Sequence, residues 1–235
     1  MPRTKEQNEE IRNKTKNSIL DAALSLYVIY GFNGTDMDYV AAEAGVAKGL
    51  LYYYFKTKKL LFRELFNSVL FQTLEFSNSF LIADTLVSPL EKLIKYSIDI
   101  FGIGFKDPRY IQFAMRMPFD TYAVFGPDEW SKGLEGSRKH IDNLNQIISE
   151  GIADGSMKCR DADVGANSFW TVYVAALFNF TKMTAGKGND IKYVIDYEIM
   201  SGILSFGMAG LGVEGDSWKK ILKKHYEKEE KNESI

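Results

Sequence analysis

Cysteine is almost absent from this chain, since Cys159 is the only one among 235 residues. A single thiol cannot form a disulfide within its own chain, which excludes a disulfide-stabilised fold and fits a reducing compartment. Histidine is nearly as rare, and neither His140 nor His225 lies in a Cys, His and Asp spacing typical of a metal site. We therefore expect no metal centre, and nothing in the sequence indicates a cofactor.

Long apolar runs are also missing. No stretch approaches the roughly 18 apolar residues of a membrane helix, and the first ten residues lack the apolar segment of a signal peptide. The expectation is a cytoplasmic protein without a membrane partner. Strand alternation, a glycine-rich phosphate loop and a nucleophile elbow are absent too, so no catalytic residues are identified and an enzyme is not favoured.

Positive charge is in slight deficit overall, but it is unevenly distributed. The chain has 29 basic and 31 acidic side chains. Residues 1–63 contain ten Lys or Arg and seven Asp or Glu, a net charge of +3, and the remaining 172 residues carry −5. The N-terminal segment is thus compatible with an anionic partner, whereas a DNA-bending protein would be broadly basic.

What the sequence does contain is helical periodicity. Apolar residues recur at helical spacing throughout, which predicts an all-α fold. The pattern divides into an N-terminal three-helix domain over residues 1–57 and a larger helical bundle over residues 58–235. We expect one irregular stretch, between Pro118 and Pro127.

Spacing around Gly45 is typical of a helix-turn-helix. Ala41 lies four residues earlier and allows two helices to approach, Gly45 can adopt the left-handed conformation of a sharp turn, and Val46 and Leu51 can pack on a common core. Such a turn presents its second helix to the major groove of DNA. We also expect Thr35 to cap the helix that precedes the turn.

Residues 35–61 resemble the DNA-binding signature of the tetracycline-repressor (TetR) family. The resemblance rests on Gly45-Val-Ala-Lys-Gly-Leu-Leu-Tyr-Tyr-Tyr-Phe55 and on the Lys-Thr-Lys that follows it. It covers the first quarter of the chain, and the remainder agrees with the family in helix number and length only. The resemblance implies a homodimeric transcriptional repressor that binds a palindromic operator on double-stranded DNA and is released by a small effector.

The same resemblance implies roles for individual residues. Contacts with DNA would come from the start of the recognition helix, from two tyrosines and from two flanking positions: Lys48, Gly49, Leu50, Tyr53, Tyr54, Lys58 and Thr35. Of the aromatic run, Tyr52 and Phe55 are expected to pack inward with Leu51. Ala47 stands where the family often has a capping Ser or Thr, and Leu50 replaces a small polar residue.

The larger bundle offers a dimer interface and a ligand pocket. Residues 162–185 and 190–211 are apolar on nearly every face. Other helices must therefore pack against every face, either within one bundle or from a second subunit. Aromatic and methionine side chains predict a pocket for a largely apolar effector, although side chains at this spacing are more often plain core. These side chains are Phe101, Phe105, Phe113, Met117, Trp130, Phe169 and Tyr173.

Two readings of the chain therefore remain. The favoured one is a DNA-binding transcriptional regulator. The alternative is an all-helical protein that binds or converts a small molecule and whose helix-turn-helix has no specific DNA site.

Overall fold

The computed structural model describes residues 4–81, 87–185 and 197–233 of the chain. Every regular element within these residues is a helix, which confirms the predicted all-α fold. The helices are α1 (Lys5–Gly34), α2 (Met37–Glu43), α3 (Lys48–Tyr54), α4 (Lys58–Leu81), α5 (Pro89–Lys106), α6 (Pro108–Phe125), α7 (Trp130–Gly133), α8 (Glu135–Ala153), α9 (Ala162–Ala185), α10 (Tyr197–Gly210) and α11 (Ser217–Glu233).

The helices divide into two compact units. The first comprises Met1–Leu70 and Gln112–Glu135, and the second comprises Phe71–Ile111 and Gly136–Ile235. Helices α4 and α6 each contribute residues to both units. The first unit thus extends beyond residue 57, because parts of α4 and α6 join the three N-terminal helices in one core.

An aromatic cluster forms that core of the first unit. The ring of Tyr27 in α1 lies 5.7 Å from Phe62 and 5.4 Å from Phe66, both in α4, and 5.4 Å from Phe113 in α6. All four side chains are buried, and these centroid distances are typical of favourable aromatic pairs. We call these four residues the Tyr27 cluster. It holds α1 against α4 and α6.

Helix α1 is interrupted at Gly31, three residues before its end. The φ of 69° and ψ of −177° at Gly31 belong to a region that only glycine occupies readily. A Cβ at this position would overlap the guanidinium of Arg116, which lies against it. Directly after the break, the Phe32 N–H donates to Asp120 Oδ2 at 3.3 Å, and Asp120 also pairs with Arg116. The break therefore brings the end of α1 into polar contact with α6.

The prediction of an irregular stretch from Pro118 is wrong, since α6 continues through this proline to Phe125. Proline lacks the N–H for one helical hydrogen bond, but other groups secure the turn that follows. The Thr121 hydroxyl donates to the Met117 carbonyl at 2.7 Å, and Arg63 of α4 donates to the Phe125 carbonyl at 2.7 Å. These bonds do not replace the missing one, but they tie the part of α6 beyond Pro118 to its own backbone and to α4.

In the second unit, α5 pairs with α11 and α9 pairs with α10, and the contact between α5 and α9 joins the two pairs. Helix α9 has the bounds that the sequence predicts. The predicted start of the following helix at residue 190 lies outside the described residues, and α10 ends at Gly210.

Replacement of Gly31 by alanine tests the break in α1. We expect Gly31→Ala to lower the free energy of unfolding by about 1–3 kcal/mol, because a Cβ strains this backbone conformation and displaces Arg116. Gly49→Ala is the matched control: Gly49 lies inside α3 with open space around it, so alanine should raise stability by about 0.5–1 kcal/mol. Urea unfolding followed by circular dichroism measures both. Equal midpoints for Gly31→Ala and the unchanged protein would contradict this account of the break.

Candidate nucleic-acid interface

The turn between α2 and α3 has the geometry that the sequence predicts. Gly45 has a φ of 65°, its N–H donates to the Ala42 carbonyl at 3.1 Å, and the Val46 N–H donates to the Ala41 carbonyl at 3.0 Å. This pair of bonds is the Schellman closure of a helix end. Ala41 is buried where the helices approach, so α3 is held at a fixed angle to α2.

Helix α3 buries one side and exposes most of the other residues. Leu51 and Phe55 are buried, as expected. Lys48 and Gly49 are exposed, as is Leu50, and Tyr53 is 64% exposed. Tyr54 is half-buried, and its ring meets that of Tyr53 edge to face at 5.5 Å.

The expectation that Tyr52 packs inward is wrong, because 37% of it is exposed. Leu51 is the buried residue of this helix of seven residues, and Phe55, the residue that follows the helix, is also buried. Tyr52 is turned about 100° away from Leu51 by the helical rotation. It thus adds a third phenol to the exposed surface of α3.

Lys48 is joined to α2 by an ion pair that sequence reasoning missed. Its Nζ donates to Asp38 Oδ2 at 2.7 Å, and both side chains are more than half exposed. The hydrogen bond and charge of Asp38 raise the pKa of Lys48. The two residues are ten positions apart on different helices, so no local spacing indicates the pair. The Asp38 carboxylate therefore already pairs with the Lys48 ammonium, the group that the resemblance assigns to a DNA contact.

Thr35 does not cap α2, which corrects the sequence-based assignment. Asp36 is the capping residue, and its side chain accepts from the Asp38 N–H at 2.7 Å. Thr35 is buried, and its hydroxyl donates to the Gly31 carbonyl at 2.8 Å. The same carbonyl accepts from the Thr35 N–H at 3.2 Å, so both polar groups of Thr35 bond to the end of α1 and neither caps α2.

Lys58 begins α4 and is already engaged within the protein. Its Nζ donates to the Asn33 carbonyl at 3.1 Å and lies 4.8 Å above the ring of Phe32. Partial burial lowers the pKa of Lys58. One backbone N–H at this helix start, that of Leu60, donates to the Thr57 hydroxyl. A phosphate at this helix end would therefore share its donors with the protein.

The residues predicted to line a ligand pocket fall into both units. Phe113 and Met117 are buried in the first unit, and Trp130 in that unit is 46% exposed. The other four adjoin one another in the second unit. Phe101 packs on Phe105 at 5.5 Å and on Tyr173 at 5.8 Å, and Phe169 stacks on Tyr173 at 5.7 Å.

A buried polar pair lies beside these four rings, and sequence reasoning did not identify it. Tyr96 of α5 and His140 of α8 are both buried, and the Tyr96 hydroxyl lies 3.0 Å from His140 Nε2. Burial lowers the pKa of His140 to about 4 and raises the pKa of Tyr96. Both groups are thus neutral at pH 7. Their 44-residue separation gives no local signal, and His140 has Asp142 nearby in sequence, which favours a surface position.

An apolar face on α9 and α10 is left uncovered. Val164 and Val172 of α9 are 62% and 46% exposed, and Phe206 of α10 is 76% exposed. They line a groove of about 400 Å³ whose walls include Phe169 and Leu211. This surface is where the sequence predicts a subunit interface.

Metal and membrane signals are absent from the part of the chain that the structure describes. No three of its His, Cys, Asp and Glu side chains are grouped as a metal site requires. None of its helices combines the length and apolar character needed to span a membrane.

Comparison with known proteins supports the helix-turn-helix assignment. Residues 19–65 match the family model "Bacterial regulatory proteins, tetR family". The HTH-type transcriptional regulator YhgD of Bacillus subtilis is 27% identical over 169 residues, which is 71% of this chain and 84% of that protein. The biofilm operon icaADBC HTH-type negative transcriptional regulator IcaR of Staphylococcus aureus is 28% identical over 147 residues, 59% of this chain and 67% of IcaR.

A solved structure extends the likeness to the whole fold. The transcriptional regulator FadR from Bacillus subtilis, crystallised in complex with stearoyl-CoA, aligns with a TM-score of 0.59 at 20% identity. The alignment covers 82% of this chain and 97% of FadR. At that identity the match establishes a shared fold, which includes the helices that follow the helix-turn-helix.

Neutralising Asp38 tests the role of the Lys48 ion pair. We expect Asp38→Asn to tighten DNA binding several-fold at low salt, because it frees the Lys48 ammonium and removes a negative charge from the exposed surface. Glu9→Gln is a matched control, since it removes one negative charge from an exposed position in α1. Fluorescence anisotropy with a labelled duplex measures the change. Equal effects of the two variants would show that the ion pair has no specific role.

Proposed function

We propose that this chain is a transcriptional repressor of the TetR family that binds a palindromic operator as a homodimer and is released by a small effector. Residues 1–57 supply the DNA-binding domain in this proposal, and residues 58–235 supply the dimer interface and the effector site.

The exposed side of α3 carries the proposal. Lys48, Leu50 and Tyr53 project from a helix whose opposite stripe is buried and whose turn is closed by hydrogen bonds. Lys48 and the phenols of Tyr53 and Tyr54 would contact phosphates, and Leu50 would read a thymine methyl in the major groove. Gly49 lets the backbone of α3 approach the duplex, and Lys58 adds a phosphate contact at the start of α4.

Repression and release by a ligand are supported by the relatives. IcaR is named as a negative regulator, and FadR is described in complex with stearoyl-CoA. In this chain an apolar effector would bind among the aromatic rings of the second unit. A ligand that binds better to dimers with wrongly spaced DNA-binding domains would shift the population away from operator-bound dimers.

Dimerisation is supported by the exposed face of α9 and α10. Large apolar side chains that stay exposed in a groove mark a protein interface. Pairing α9 and α10 with the same helices of a second subunit would bury Val164, Val172 and Phe206 in a four-helix interface. A palindromic operator needs two recognition helices on half-sites about 34 Å apart, one turn of DNA, and a dimer is the simplest way to supply two.

Specific DNA binding is the direct test of the function. We expect the protein to bind duplex DNA from upstream of its own gene more tightly than a scrambled duplex, with affinity that falls steeply between two salt concentrations. Tyr53→Ala should weaken binding to the upstream duplex and leave the oligomeric state unchanged, whereas Phe119→Ala, at an exposed position in α6, should change neither. Fluorescence anisotropy measures the affinities. Equal binding to both duplexes would contradict a specific operator in that region.

A charge at Phe206 tests the subunit interface. We expect Phe206→Asp to convert the dimer to monomers and to reduce operator affinity at least tenfold, because each subunit would bury an unpaired carboxylate. Phe119→Asp is the matched control, since Phe119 is 85% exposed on a different helix. Sedimentation velocity gives the oligomeric state. A Phe206→Asp variant that remains dimeric would place the interface elsewhere.

A further inference from the structure

One nitrogen in the core of the second unit has no hydrogen-bond partner. His140 is 2% exposed, and its Nδ1 forms no hydrogen bond with any group in the part of the chain that the structure describes. A neutral imidazole has one N–H donor and one acceptor nitrogen, and Tyr96 uses Nε2 in either tautomer. Nδ1 therefore remains buried as an unsatisfied donor or acceptor, which natural cores usually avoid.

The surroundings of His140 fit an apolar ligand body. The Trp170 ring of α9 meets the imidazole edge to face at 4.4 Å, and Phe76 of α4 lies 5.9 Å from the Tyr96 ring. The Tyr173 hydroxyl donates to the carbonyl of Ser97, the residue that follows Tyr96. Through Tyr173 the aromatic lining continues from this polar pair to Phe101 and Phe169, which the sequence predicts as ligand contacts.

We propose that His140 and Tyr96 form the polar end of the effector site and select a neutral molecule whose hydroxyl group hydrogen-bonds to His140 Nδ1. This inference rests on the proposed function, in which an effector binds within the second unit. A hydroxyl both donates and accepts, so it satisfies Nδ1 in either tautomer. The effector's apolar body lies against Trp170 and the rings beyond it.

An ionised ligand group is excluded next to His140, because the side chains in contact with His140 are uncharged. The side chains in ring contact or hydrogen-bond contact with His140 among the described residues are Tyr96 and Trp170, and neither is charged. A carboxylate or phosphate placed against them would be desolvated without a counter-ion, which is far more costly than burying a hydroxyl. Trp170 is half-buried and in ring contact with His140, so in this proposal the effector reaches Nδ1 by displacing that ring.

Matched probe compounds test this selectivity on the full-length protein. The naphthyl series is 2-naphthol, 2-methylnaphthalene and 2-naphthoate, and the alkyl series is 1-decanol and decanoate. The protein has two histidines, so ¹⁵N-histidine spectra report His140 and His225 separately. We expect 2-naphthol or 1-decanol to shift the His140 nitrogen signals and not those of His225. The 2-naphthol affinity should exceed that of 2-methylnaphthalene about tenfold, the effect of one hydrogen bond, and 2-naphthoate should bind most weakly.

Two variants separate recognition from folding. His140→Phe keeps an aromatic ring, so it should lower 2-naphthol affinity about tenfold and leave 2-methylnaphthalene affinity unchanged. His225→Phe, which removes the other histidine from its contact with Glu91 in the same unit, should leave both affinities unchanged. The wild-type titration tests the proposal even where His140→Phe does not fold.

Three outcomes would overturn the proposal: unshifted His140 signals with both hydroxyl compounds, equal binding of 2-naphthol and 2-methylnaphthalene, or preferred binding of 2-naphthoate. A parallel DNA assay separates this failure from failure of the proposed function. Operator binding without a His140 response refutes the effector site and supports the DNA-binding role. A His140 response with no binding to any operator supports the site and refutes the repressor.

Discussion

The packing of Tyr27 against Phe62, Phe66 and Phe113 is the contact on which the DNA-binding part of the molecule depends. It fixes α1 on α4 and α6, and α1 in turn supports the helix-turn-helix. The break at Gly31 completes the arrangement, because it lets Arg116 and Asp120 of α6 reach the last turn of α1. Aromatic burial supplies the cohesion, while the polar contacts fix the direction in which the chain enters α2.

The exposed pair of Lys48 and Asp38 and the buried pair of His140 and Tyr96 have different consequences. The ion pair of Lys48 with Asp38 is exposed, so it adds little stability and acts mainly by holding a cation that DNA would otherwise bind. The pair of His140 and Tyr96 is buried and leaves one nitrogen unsatisfied, which is a cost in the absence of a ligand. Under the proposed function the first feature would lower DNA affinity, and the second would be completed by a ligand.

Sequence periodicity and one dense motif predict much of this architecture. The all-α fold, the turn at Gly45 and the bounds of α9 follow from local patterns, because helix spacing and a left-handed glycine are encoded within a few residues. The errors concern tertiary context. Pro118 stays inside α6, whose C-terminal end is held by Arg63 of α4, and the buried Thr35 bonds to Gly31 at the break in α1 and does not cap α2. His140 pairs with a residue 44 positions away, which a single sequence does not indicate.

The central claim is that this chain recognises a defined DNA sequence through two copies of α3. Sequencing of the genomic DNA fragments that the purified protein captures at physiological salt tests it most directly. The account predicts a small number of enriched sites that share an inverted repeat, with half-sites centred about 10 base pairs apart. Recovery that follows the input DNA, with no shared repeat, would contradict it.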